Sequence, residues 1–218
     1  MRSLFSFLLA LLSLVATVVV SWGDLPPLPQ TAVPTVITLS PGPRFASNPI
    51  GGYTVHVEGP LGPIQGAEVE VEISPEADAL VAWCDGQTHP IQVRFTDVNG
   101  NATFQFLGGG CVVPEDVPGA AYVAEVRFDG IAQAVHPYIT SPDVVMSNGQ
   151  RPAAPGGACE NGQSIVTLSD ASYFTRPIKL GLIDRCSKFT PPFNSHVQLS
   201  DAVFLMPYVK SGSNCSCN

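Results

Sequence analysis

Charge is scarce in this 218-residue chain: only 13% of residues are Asp, Glu, Lys or Arg, and ten bases face eighteen acids. With 21 prolines and 20 glycines, so few charges favour many turns and short strands over long helices. The deficit of bases leaves a formal net charge of −8, which repels phosphate backbones and argues against a nucleic-acid partner. Reactive motifs are missing as well. There is no G-x-S-x-G elbow, no H-E-x-x-H, no phosphate-binding G-x-x-x-x-G-K-[ST] loop and no dinucleotide fingerprint. The four histidines (His56, His89, His136, His196) are scattered, and no cysteine pair has zinc spacing beside a spaced histidine pair. The expectation is a protein that is not an enzyme and carries no catalytic residues. Beyond the first twenty residues no run is apolar enough to span a bilayer, so no membrane contact is expected once that segment is removed.

The first 23 residues read as a secretory signal peptide. Arg2 precedes the apolar run "LFSFLLALLSLVATVVV", and Ser21 and Gly23 stand three and one residues before a cleavage point. An uncleaved membrane anchor is the alternative. The expected location is secreted, extracellular or at the cell surface. All six cysteines (Cys84, Cys111, Cys159, Cys186, Cys215, Cys217) follow this segment, and an even count in an exported chain reads as disulfides. Sequence alone cannot choose the pairing; order along the chain suggests Cys84–Cys111.

Residues 24–33 form a proline-rich lead, and residues 34–141 alternate. Tyr53, Val55 and Val57 share one face of "YTVHV". Val69, Val71 and Ile73 oppose Glu68, Glu70 and Glu72 in "EVEVEI". Ile91, Val93 and Phe95 fall together, as do Phe104 and Phe106. Tyr122, Ala124, Val126 and Phe128 oppose Glu125 and Arg127. Period-two patterning with one wet face predicts about seven antiparallel strands in an immunoglobulin-like sandwich, with "GPLGPIQG" and "DVNGN" as hairpin turns. Glu68, Glu70 and Glu72 would stand about 7 Å apart along one strand, a spacing open to acid–base or metal chemistry. No cleft is indicated around them, and a solvated outer face accounts for them. Trp83, beside Cys84, reads as packing on a disulfide.

Residues 142–158 are rich in Pro and Gly and read as a flexible linker. The charge is divided across it: residues 24–158 hold 14 acids and 4 bases, residues 159–218 hold 4 acids and 5 bases. The C-terminal part contains a repeat. "VTLSDA" at 166–171 recurs as "VQLSDA" at 197–202, an offset of 31 residues counted between Asp170 and Asp201. Ser and Asp at the head of each apolar run suit a helix start, and Pro177 and Pro207 are expected to kink or end the helices.

Two resemblances follow. "GPIQGAEVEVEI" and "FTDVNGNATFQF" are similar to bacterial immunoglobulin-like modules of secreted and surface proteins, through Gly62, Gly66, Ala67, Val69, Thr96, Asp97, Gly100, Ala102, Thr103 and Phe104. The tandem loop-and-helix units of residues 159–218 resemble a degenerate dockerin module, whose calcium loops end on an aspartate. That likeness puts Asp170 and Asp201 at the last ligand place. It implies a calcium set of Asn161, Gln163, Thr167, Asp170, Asn194, Gln198 and Asp201, and a partner surface at Ser169, Asp170, Ser200 and Asp201. Cys159, Thr190 and Pro192 stand where the family has ligands, so calcium is not expected to be a required cofactor, and a Cys159–Cys186 bridge could replace it. The fold class expected is mainly β, an immunoglobulin-like sandwich plus a small α-helical dockerin-like tail. The resemblance implies non-catalytic attachment to a cohesin-like or other extracellular protein. A purely structural spacer and a carbohydrate-binding accessory module are the alternatives.

Overall fold

The computed structural model describes residues 30–40, 52–84, 90–143, 163–189, 195–211 and 214–216. The expectations for the signal peptide, for linker residues 144–158 and for Cys159, Asn161, Thr190, Pro192, Asn194 and Cys217 lie outside these residues.

The fold is mainly β, with several sheets. In chain order the strands are β1 (Gln30–Ala32), β2 (Val36–Thr38), β3 (Gly52–Gly59), β4 (Gly62–Pro63) and β5 (Glu68–Ile73). The short helix α1 (Pro75–Asp78) follows, started by the Ser74 hydroxyl, which accepts from the Ala77 amide. Then come β6 (Ala82–Trp83), β7 (Ile91–Phe95), β8 (Asn101–Gln105), β9 (Gly108–Gly109), β10 (Ala124–Phe128), β11 (Ile131–Ala132) and β12 (Tyr138–Thr140). One antiparallel sheet groups β1, β4 and β8 around the long β3, and the other runs β11–β10–β5–β7. The pair β2–β12 is parallel, and β6–β9 is a separate antiparallel pair. That pairing needs Gly108, since a Cβ there would lie 2.6 Å from the Ala82 carbonyl oxygen.

Alternation puts the predicted apolar faces inward. Tyr53, Val55, Val57, Ala102 and Phe104 of the first sheet meet Val69, Val71, Ile73, Ala124, Val126 and Phe128 of the second in one core. Two expectations fail. Tyr122 precedes β10 and is only half-buried, stacked on His136. On β7 the parity is reversed, so that Ile91, Val93 and Phe95 are exposed while Gln92 is buried. Polar bonds decide this register. The Gln92 amide donates to the Gln105 carbonyl at 3.1 Å. Just past the strand, the buried Thr96 hydroxyl donates to the Ile64 carbonyl at 2.6 Å and accepts from the Ala67 amide.

The repeat is realised as two helices of equal length, α2 (Leu168–Leu180) and α3 (Leu199–Ser211). Equivalent positions have equivalent burial: Val166 and Val197, Asp170 and Asp201, Phe174 and Leu205 are all inside. Of the two outcomes expected at the prolines, ending is excluded: α2 continues past Pro177, and α3 past Pro207. Helix α2 stops at Gly181 (φ 60°), which supplies the left-handed cap that other residues adopt at a cost. The antiparallel pair β13 (Gln163–Ile165) and β14 (Asn214–Ser216) brackets the helices. Among the described residues no helix is long and apolar enough to cross a membrane.

The disulfides correct the expected pairing. Cys84 is bonded to Cys215 and Cys111 to Cys186, not Cys84 to Cys111 or Cys159 to Cys186. Chain order misled because Cys111 faces the C-terminal helices rather than Cys84. Around it, Val36, Val113 and Tyr138 share one apolar cluster with Phe174, Cys186, Phe189 and Leu205. The Thr140 hydroxyl donates to the Cys186 carbonyl at 2.9 Å, and Arg185 pairs with Glu115 at 3.1 Å.

Candidate functional site

The two helix starts are built alike. Thr167 precedes α2 in extended conformation, and its hydroxyl accepts from the Ser169 amide. Asp170, three residues on, returns the favour: its Oδ2 accepts from the Thr167 amide at 2.8 Å and from the Thr167 hydroxyl at 2.9 Å. This is a capping box, satisfying amides that the first helical turn leaves without partners. In the second unit Asp201 Oδ2 accepts from the Gln198 amide, also at 2.8 Å. Asp201 does more. Its Oδ1 accepts from the Phe189 amide at 2.9 Å, and Lys188 Nζ lies 2.9 Å from Oδ2, with both side chains buried.

Asp170 and Asp201 thus point into the fold, Ser169 is half-buried, and Ser200 is exposed. At each helix start the outward group is a leucine: Leu168 is 78% and Leu199 71% exposed, at repeat-equivalent positions. The calcium ligand set implied by the resemblance lies partly outside the described residues, and its two carboxylates are Asp170 and Asp201. Both carboxylates are committed to protein donors, Asn161 and Asn194 lie outside the described residues, and calcium requires several oxygens directed at one point. Among the described residues no cluster of three or more His, Cys, Asp or Glu is arranged to hold a metal ion.

Between α2 and the segment after it lies an open groove of about 560 Å³, lined by Ser172, Tyr173, Arg176, Pro177, Leu182, Ile183 and Asp184. Most of that lining is apolar. The Asp184 carboxylate is turned to its own turn, accepting from the Cys186 amide at 3.0 Å and the Ser187 hydroxyl at 2.6 Å.

The carboxylate ladder of β5 stands on the outer face of its sheet, in register with β10 on one side and β7 on the other. Arg127 clasps Glu70 at 2.7 Å, Glu72 at 2.8 Å and Glu125 at 2.6 Å. The Glu70 hydrogen bond and the surrounding carboxylates hold the guanidinium charged well above its usual range. Tyr122 is pushed up by burial and by Glu72 and Glu125. The face is a network of three carboxylates around one guanidinium, not a pair of carboxylates across a cleft. Trp83 is half-buried, and its indole N–H donates to Asp78 at 2.6 Å.

Sequence reasoning missed Lys188 and the groove. The signal for Lys188 was its place between Cys186 and Phe189, two residue types that are usually buried. Compared with protein-family models, curated proteins and solved structures, the chain has no match.

Proposed function

We propose that this chain is a secreted, non-catalytic attachment protein: an immunoglobulin-like sandwich that presents a dockerin-like double helix to an extracellular protein partner. The observation that carries the reading is the exposure of Leu168 and Leu199 at matching helix starts. Leucine in the first turn adds nothing to the caps, whose work is done by Thr167, Asp170, Gln198 and Asp201. Exposed leucines repeated on a duplicated element supply the apolar anchors of an interface. The cystines Cys84–Cys215 and Cys111–Cys186 support an oxidising compartment. Of the three expected roles, carbohydrate binding has least support, because Phe95 is the one strongly exposed aromatic ring among the described residues.

A structural spacer is the second reading. It is favoured by the two cystines that fasten the helices to the β-region, a connection suited to bearing load. The experiment that separates the two is recovery of partners from the extracellular fraction of the source, using the full mature chain. Leu168→Lys with Leu199→Lys alters only exposed side chains, so loss of a recovered partner supports attachment. Equal recovery by both proteins, or recovery of nothing, leaves the spacer reading in place and overturns attachment through these helices.

A further inference from the structure

We propose that copies of this chain associate head to tail, with the loop-bearing end of one sandwich docking in the α2 groove of the next. This goes beyond attachment to another protein and uses different residues of the helical part.

The knob is one end of the two sheets. Three connections meet there: β3–β4 around Pro60 and Leu61, β7–β8 at residues 96–100, and β10–β11 at Asp129 and Gly130. They are tied together by backbone and side-chain bonds. The Gly66 amide donates to the Thr96 carbonyl at 2.9 Å, and the Thr96 hydroxyl to the Ile64 carbonyl. The Asp129 amide donates to the Glu68 carbonyl at 3.0 Å, while Glu68 lies in register with Phe95. A Cβ on Gly100 would meet Pro63 and the Val57 carbonyl, so the second turn sits directly on the first. The first two connections raise Leu61 and Val98 into solvent, and Ile131, which opens β11 just after the third, is exposed too, with Phe95 beside them. Polar turn tips are the norm, and apolar ones gathered at one end mark a contact surface. The same segments carry Glu58, Glu68, Asp97 and Asp129, and residues 58–68, 95–101 and 128–133 contain no Lys or Arg.

The socket is at the other end. Strands β5 and β8 run away from the knob, and Cys84 and Cys111 lie beyond their far ends, bonded to the helical part. There the groove offers Tyr173, Pro177, Leu182 and Ile183 as apolar lining, with Arg176 at its edge. Lys179 follows on α2. Arg176 and Lys179 are exposed, and neither has an ion pair among the described residues.

Charge complementarity selects a second copy as the occupant. An acidic, apolar knob repels another knob and fits an apolar groove with basic residues, and this chain carries both. The acids among the tips also disfavour an anionic membrane. Because the two surfaces differ, the contact is heterologous. Repetition then gives an open chain rather than a closed dimer.

Sedimentation velocity of the full mature chain, from about 1 µM to about 1 mM, reads this directly, since weak contacts fall in that range. The expected result is a mean mass that rises past the dimer with concentration and falls as salt is added. Val98→Asp with Ile131→Asp removes the knob, and Arg176→Glu spoils the socket. Each is expected to weaken association at least tenfold, and unchanged thermal melting shows that the fold survives. Mixing the two variants restores a single intact contact and yields a one-to-one dimer that grows no further. A wild-type chain that stays monomeric throughout overturns the proposal, as does growth that halts at a dimer, a mixture that stays monomeric, or wild-type protein that remains monomeric while floating with phosphatidylcholine vesicles.

Discussion

Lys188 places its ammonium 2.9 Å from the Asp201 carboxylate, with neither side chain open to solvent. The repeated aspartates therefore do one job in common, and Asp201 has a further one. Asp170 and Asp201 both take the amide three residues before them, which starts each helix. Asp201 also anchors the segment between the helices, through Lys188 and the Phe189 amide.

A cost beyond that of a lost cap follows for Asp201. Loss of a cap alone costs about 1–2 kcal/mol. Asp201→Ala takes the carboxylate from a buried ammonium as well, and the expected cost is about 3–5 kcal/mol. Urea denaturation of this variant checks the figure, and a loss no larger than a cap's would show that the ion pair contributes nothing beyond it.

The disulfide pattern makes reduction, not chelation, the effective treatment. Breaking Cys111–Cys186 with paired serines is expected to cost about 2–5 kcal/mol, because the bond closes a separation of 75 residues in the unfolded chain. EDTA alone should leave the melting temperature unchanged under oxidising conditions, while a thiol reductant lowers it. Non-reducing peptide mapping should recover Cys84 with Cys215 and Cys111 with Cys186. A Cys84–Cys111 peptide would refute the arrangement.

How far the sequence carried the reading depends on what kind of fact was sought. Alternation in "EVEVEI" identified β5 and its inner face, because three branched apolar residues and three glutamates leave one choice. In "IQVRF" the same rule failed, since period two identifies the strand but not which side meets the core. There Gln92, together with Thr96 just beyond the strand, used hydrogen bonds to reverse the apolar expectation. The duplicated "LSDA" marked both helix starts, which fall at Leu168 and Leu199, while the likeness to calcium loops assigned the aspartates a second role as metal ligands. Disulfide partners were illegible because they depend on contacts across 75 and 131 residues. The groove was illegible too, since it forms between α2 and the Leu182–Asp184 segment only after both have folded.

The reversed face of β7 gives a direct mutational contrast. Ile91→Thr and Val93→Thr act on exposed side chains and should change stability by no more than about 0.5 kcal/mol. Phe104→Ala empties a fully buried position between the sheets and should cost about 3–5 kcal/mol. Chemical denaturation of the three variants would expose a wrong register at once, because an inward Val93 would respond like a core residue.

Alkali provides an independent probe of the junction between the β-region and the helices. Burial pushes the Tyr138 phenol up from 10.0 to about 12. Burial also raises Tyr53, whose hydroxyl donates to the Pro34 carbonyl at 2.8 Å. Below pH 10 both phenols are protonated in folded and unfolded chains alike, and they contribute no pH dependence. Between pH 10 and about 12 the unfolded chain releases the Tyr138 proton while the folded chain holds it. The unfolded state then binds fewer protons, and stability falls as pH rises. Above that window Tyr138 adds no further loss, whereas Tyr53 continues to favour unfolding. Tyr138→Phe should flatten the first part of this decline. Near neutral pH it should cost little, because the buried Tyr138 hydroxyl has no hydrogen-bond partner among the described residues. Denaturation midpoints at pH 9 to 12 for the two proteins, with tyrosinate absorbance recorded in parallel, decide the matter. A phenol that ionises near pH 10 before any unfolding in the wild type, and is missing from Tyr138→Phe, would place Tyr138 in solvent and contradict the packed junction.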